Sequence, residues 1–133
     1  MATILDGRKV SDSLLEKVKV EVEELKSKGI NPKLTVVVVG NNEASKVYVG
    51  NKVKACEKVG VISEKLQFPA EISQEELLKK IDELNKDKSV SGFIVQAPLP
   101  EHIDMNIVVK AIDPYKDVDG FHAYNLGKMI IDK

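Results

Sequence analysis

The chain has 133 residues, 43% of them hydrophobic, which is enough to bury one continuous core as a single domain without a disulfide or metal staple. Charged residues make up 31% but nearly cancel, at a net charge of -1, so no positive excess exists for a polyanion; a small-molecule partner is expected and nucleic acid is not. The single cysteine, Cys56, forms no internal disulfide and fits the cytoplasm, and no apolar run has the length of a signal peptide or a membrane span.

From Val10 to Leu25 the apolar residues Val10, Leu14, Leu15, Val18, Val22 and Leu25 recur at helical spacing, and Gly29 is placed to end that amphipathic helix. Leu34 to Val39 is short, β-branched and apolar on both faces, the pattern of a central parallel strand covered by helices on both sides. Gly40 ends it, and Glu43 to Val59 reads as a helix closed by Gly60. A strand over Ser63 to Phe68 precedes the turn residue Pro69. Ser73 and Glu76 make a capping-box pattern ahead of a helix carrying Leu77, Leu78, Ile81 and Leu84. Gly92 to Val95 supplies another buried strand, Met105 to Ile112 a shorter helix, and a polar loop leads to an apolar segment, Tyr124 to Ile131. This alternation predicts an α/β three-layer sandwich with a mainly parallel sheet flanked by helices.

In such sheets ligands sit beyond the carboxyl ends of the strands. Three segments fall there. In Gly40 to Lys52, Tyr48 and Lys52 are four apart and share a helix face. In Gly92 to Pro100, a buried strand runs into Gln96 and then a stiff Pro98-Leu99-Pro100 turn. Asp113 to His122 is rich in carboxylates and has Gly120 for a bend. Singly, each has a plain structural explanation: a snorkelling surface pair, a cap with a rigid connection, a solvated loop. The carboxylate loop lacks the spacing of a calcium loop, His102 and His122 are too isolated for a zinc site, and Cys56 reads as a small core residue, so no metal is expected.

Together and in this order, the segments resemble the tetrahydrofolate dehydrogenase/cyclohydrolases, whose catalytic domain carries Tyr-x-x-x-Lys, then Val-Gln-Leu-Pro-Leu-Pro, then Lys-Asp-Val-Asp-Gly-Phe. They stand here as Tyr48 to Lys52, Val95 to Pro100 and Lys116 to Phe121, with Ala97 where the family usually has Leu. Ile4-Leu5-Asp6-Gly7 and Ala55-Cys56-Glu57 extend the likeness over essentially the whole chain. The resemblance implies an aminoacid dehydrogenase-like N-terminal domain spanning residues 1–133, with the Rossmann domain that binds NADP, or NAD in some members, and a returning terminal helix outside this sequence. It implies cytoplasmic one-carbon metabolism serving purine, methionine and histidine biosynthesis, tetrahydrofolate derivatives as ligands, and a full-length homodimer from which this portion alone would be monomeric. Two reactions share one cleft: oxidation of 5,10-methylenetetrahydrofolate by the nicotinamide, then hydrolysis of the 5,10-methenyl cation to 10-formyltetrahydrofolate. This portion alone is expected to support at best the second.

By the same resemblance Lys52, Gln96 and Tyr48 are the catalytic candidates. A lysine acts as a base when burial or a neighbouring cation disfavours its charge, and a methenyl cation beside Lys52 pushes that way, letting it activate water. Gln96 can orient the Lys52 amine through its amide oxygen and contact substrate or water through its NH2. Asp119 can accept the pterin's ring NH and exocyclic amine in bidentate fashion, and Tyr48 can stack on the flat folate. Ser45, Val49, Pro98 and Leu99 are further candidates for lining the site. Lys52 lies about nine residues, roughly 13 Å, into its helix, so that helix is expected to lean along the cleft.

Two other readings of Tyr-x-x-x-Lys and of the alternation fail on the residues. A short-chain dehydrogenase needs a dinucleotide-binding glycine turn that is absent, and a receiver-like domain needs acidic residues after the first strand, where Gly40-Asn41-Asn42 stands. A folate-binding module with little or no activity of its own is the alternative that the residues leave open.

Overall fold

A computed structural model describes residues 1–132 and contains, among them, five helices and three strands. The elements are α1 (Gly7–Ser27), β1 (Lys33–Val39), α2 (Glu43–Val59), β2 (Ile62–Phe68), α3 (Gln74–Lys86), β3 (Gly92–Val95), α4 (Met105–Ala111) and α5 (Ala123–Ile131). The strands form one parallel sheet in the order β2-β1-β3, so the β-branched run is central as its composition predicts.

Side chains alternate across β1 and divide the interior into two layers. Val37 and Val39 join Phe93 and Val95 of β3, Leu77, Ile81 and Leu84 of α3, and Val108 and Ile112 by α4 in the larger core. Val36 and Val38 face the other way, onto Val49 of α2. The three-layer sandwich is therefore two unequal cores sharing one sheet. Thr35, fully buried on the central strand, donates its hydroxyl to Glu64 Oε2 (3.1 Å), its register partner on β2, and Lys33 Nζ lies 2.8 Å from the same oxygen. The hydrogen bond from Lys33 holds the Glu64 carboxyl below its usual range. Charged and amide side chains at Glu64, Lys65 and Gln67 also blunt β2 as an edge strand.

The helix ends follow local chemistry. Asp6 accepts from Lys9 N and starts α1 at Gly7, three residues before the apolar periodicity begins. Gly29 and Gly60 adopt positive φ, and Ile30 N donates to Leu25 O as Val61 N donates to Cys56 O, closing α1 and α2 with Schellman turns. Asn42 caps α2 by accepting from Ser45 N, and Ser73 caps α3 by accepting from Glu76 N. Along α1 only Val22 is buried, with Leu15 and Leu25 half-buried; Val10, Leu14 and Val18 are exposed. The apolar stripe read from the sequence is thus helical, but α1 rests on the C-terminal part of α2 rather than on the sheet, and half the stripe remains uncovered. Tyr124 to Ile131, read only as an apolar segment, lies within helix α5.

Candidate active site

The carboxyl ends of the parallel strands carry the three segments, and backbone hydrogen bonds bring them together. Gln96 N donates to Val37 O, which extends the β1–β3 pairing by one residue and puts the amide side chain at the rim of the sheet. Across β3, Phe93 N donates to Lys116 O, and Phe93 and Asp117 form a single parallel bridge. The Lys116-Asp117-Val118 stretch therefore lies beside β3 as a one-residue fourth strand and delivers Asp119 to the same rim. Gly92 makes this approach possible, since a Cβ there would lie 2.5 Å from Val118 Cγ2 and 3.3 Å from Lys116 O.

From the other side α2 presents Ser45, Tyr48 and Lys52, spaced three and four apart on one face. Ser45, 2% exposed, donates its hydroxyl to Ala97 O at 3.2 Å. Two turns further on, Lys52 Nζ donates to Gln96 Oε1 at 2.7 Å. Lys52 therefore reaches Gln96 from about nine residues into α2, in the direction in which helical side chains tilt, toward the helix N-terminus. Gln96 Nε2 donates to Ala97 O at 3.2 Å, so both ends of the amide are engaged and its orientation is fixed. Tyr48, between Ser45 and Lys52 on this face, is 61% exposed, its ring open to a ligand.

A cavity of about 120 Å³ lies under the rim, with Phe93, Met105, Val109 and Phe121 as apolar walls and Gln96 and Asp119 among its polar groups. Tyr48 and Lys52 are not among its lining residues: they stand on α2, and Lys52 meets the cavity only through its hydrogen bond to Gln96. Roomier grooves lie elsewhere, one between α3 and the β2 end at Phe68, Ile72 and Glu76, but none of Tyr48, Lys52, Gln96 and Asp119 lines it. Of the further candidates, Val49 packs against Val36 and Val38, Leu99 packs on the larger core, and Pro98 is exposed after a cis Ala97–Pro98 peptide.

The two aspartates of the loop differ sharply. Asp117 Oδ1 accepts from Gly120 N (3.1 Å), and Oδ2 accepts from His122 N (2.9 Å) and Asn125 Nδ2 (2.9 Å). Asn125 Nδ2 also donates to Pro114 O at 2.9 Å, and Lys116 Nζ donates to Leu84 O and Asp87 O at the C-terminus of α3. Among the described residues no group hydrogen-bonds the Asp119 carboxylate, which is exposed at the cavity. Asp117, Asn125 and Lys116 were not singled out from the sequence, although Asp-x-x-Gly is the signature of a turn in which the aspartate closes on the backbone ahead of it.

Burial pushes the Asp117 carboxyl up, but hydrogen bonds from Asn125 and from the backbone of His122, Gly120 and Phe121 outweigh it and hold the group below the usual range. The unfolded chain therefore takes up this proton first, and the stabilisation is full above about pH 4 and lost as pH falls through the folded value. The melting temperature should fall with acidification below about pH 4, and the Asp117→Asn variant should lack that part of the decline. Parallel pH–melting curves for the two proteins would count against the clamp.

Residues 5–119 match the family described as the tetrahydrofolate dehydrogenase/cyclohydrolase catalytic domain. The chain belongs to that family. It is 53% identical over 130 residues to the bifunctional protein FolD of Oceanobacillus iheyensis, an alignment covering 98% of this chain and 46% of that protein. It superposes with a TM-score of 0.95 and 45% identity on the crystal structure of the Campylobacter jejuni FolD methylenetetrahydrofolate dehydrogenase/cyclohydrolase, covering 97% of this chain and 46% of that one. The Trypanosoma brucei FolD, crystallised with NADP cofactor and an inhibitor, is similar at 32% identity and a TM-score of 0.91 over 98% of this chain and 44% of that one. The chain thus spans a little under half the length of the relatives it matches, and the family match ends at Asp119, the free carboxylate of the site.

Proposed function

We propose that this chain is the folate-binding, catalytic domain of a bifunctional methylenetetrahydrofolate dehydrogenase/methenyltetrahydrofolate cyclohydrolase, with the nicotinamide-binding domain outside these 133 residues. The observation that carries the reading is the 2.7 Å hydrogen bond from Lys52 to Gln96, which lines the same cavity as Asp119. With the methenyl cation bound beside it, the Lys52 amine takes a proton from water and the hydroxide adds to the methenyl carbon; the carbon–N5 bond then breaks as that proton passes to N5, leaving 10-formyltetrahydrofolate and releasing the hydroxyl proton. Gln96 fixes the amine and offers an amide hydrogen to the water or substrate. Asp119 accepts the pterin's adjacent donors, and Tyr48 covers the ring system.

The eight glycines stand singly, the nearest two being Gly120 and Gly127, so no glycine-rich phosphate turn exists here and no hydride step is derived from these residues. NADP, present with the trypanosomal relative, is the cofactor we assign to the whole protein. The uncovered Val10, Leu14 and Val18 stripe is apolar surface of the kind a further segment covers, which supports a longer parent protein. No helix among the described residues is long and apolar enough to cross a membrane. A cytoplasmic protein that is a homodimer when whole is what the family resemblance supports.

A second reading, a folate-binding module with little activity of its own, is favoured by the size of the cavity. About 120 Å³ is well short of the several hundred Å³ of an ordinary ligand pocket, so these residues enclose only part of a folate. Both readings require folate binding. Asp119→Ala should raise the Kd for 5-formyltetrahydrofolate, read by calorimetry, about tenfold or more, the loss of a charged hydrogen-bond acceptor. Unchanged affinity would remove Asp119 from the pterin site.

A further inference from the structure

We propose that Asp117 is the positioning residue of the folate site: with Asn125 it clamps the 118–121 turn so that the Asp119 carboxylate is held unpaired at the cavity beside Gln96. The inference rests on the reading of Asp119 as the pterin anchor and goes beyond it by dividing the labour between two neighbouring aspartates. Three donors converge on Asp117, one from within the turn at Gly120, one just after it at His122 and one from the side chain of Asn125 on α5. The backbone at Asp117 is bridged to Phe93, whose ring lines the cavity. Both ends of the turn are therefore tied, one to the sheet and one to α5, and the residue between them that no protein group engages is Asp119. A carboxylate that must meet two donors at once loses most of its worth if it is misplaced, because bidentate acceptance needs both geometries together.

Asparagine at position 117 keeps one acceptor oxygen and turns an NH2 toward a donor, so either the Gly120 contact or the His122 and Asn125 contacts are lost while size is conserved. The deciding experiment is a double-mutant cycle between Asp117→Asn and Asp119→Ala, with Kd for 5-formyltetrahydrofolate as the readout and thermal melting as the check on folding. A residue that acts only through Asp119 has nothing further to lose once Asp119 is gone. The expected result is a Kd raised about ten- to a hundredfold by Asp117→Asn when Asp119 is present, and by less than about twofold in the Asp119→Ala background. If Asp117→Asn does not fold, Asn125→Ala removes one of the three donors and carries the same comparison, with a smaller loss expected. An equal loss in both backgrounds, or none when Asp119 is present, overturns the assignment and leaves Asp119 as anchor standing. If Asp119→Ala alone leaves Kd unchanged, the anchor reading itself fails and the positioning role falls with it.

Discussion

Lys52→Met is expected to lower kcat for 5,10-methenyltetrahydrofolate hydrolysis by about 10²–10⁴-fold, the range of a positioned general base, while folate affinity stays within about threefold. Methionine keeps a long unbranched stem along α2 but offers water no basic nitrogen, and it takes from Gln96 the donor now 2.7 Å from its Oε1. Tyr48, Asp119 and the cavity walls are untouched, so the loss belongs in kcat rather than in binding. Saturation kinetics on the methenyl absorbance separate the two. A variant retaining more than a tenth of wild-type kcat would take the proton transfer away from Lys52.

The largest effect on stability is expected at Phe93, where alanine should lower the unfolding free energy by about 3–5 kcal/mol. The ring is 1% exposed, sits in the larger core with Val37, Val95, Ile81 and Val108, and also forms a wall of the cavity, so its removal leaves a void that packed neighbours on four elements cannot all move to fill. Against a total of about 5–15 kcal/mol for an ordinary domain, this is a large share. The Phe93 N–H that donates to Lys116 O survives the substitution, so the change tests the packing of the ring and not the attachment of the loop. Urea denaturation should show a lower midpoint at unchanged slope. A loss below about 1 kcal/mol would mean that the ring does not fill the core as described.

Most of the sheet and helix order was legible because each element carries one dominant signal. The β-branched Leu34 to Val39 run could only be a central strand, and the predicted bounds of α2 agree with Glu43–Val59 because Asn42 and Gly60 punctuate it. The misses fall where two signals compete. Asp6 extends α1 ahead of its apolar residues, and no local pattern tells that Val10, Leu14 and Val18 face away from the sheet, since periodicity gives a face and not what covers it. The candidate site was legible as residue types in three segments, but not as geometry. A single bridge between Phe93 and Asp117 leaves no alternating pattern to read, so the convergence of Gln96 and Asp119 at one rim is a tertiary fact. Gly120, three residues after Asp117, hints at which aspartate the turn consumes, but the third donor comes from Asn125, eight residues away, and is not legible in the local string. Helical spacing likewise places Lys52 deep, and its meeting with Gln96 at 2.7 Å is not legible from that spacing.

If these residues themselves carry the hydrolytic step, they do so without a nicotinamide. The most direct measurement is the decay of 5,10-methenyltetrahydrofolate absorbance with and without the protein, in the absence of any nicotinamide. The expected result is a decay faster than in buffer that scales with protein concentration and disappears in Lys52→Met. A decay no faster than buffer, in a preparation that binds 5-formyltetrahydrofolate, would contradict a hydrolytic role for these residues and leave the chain as a folate-binding module.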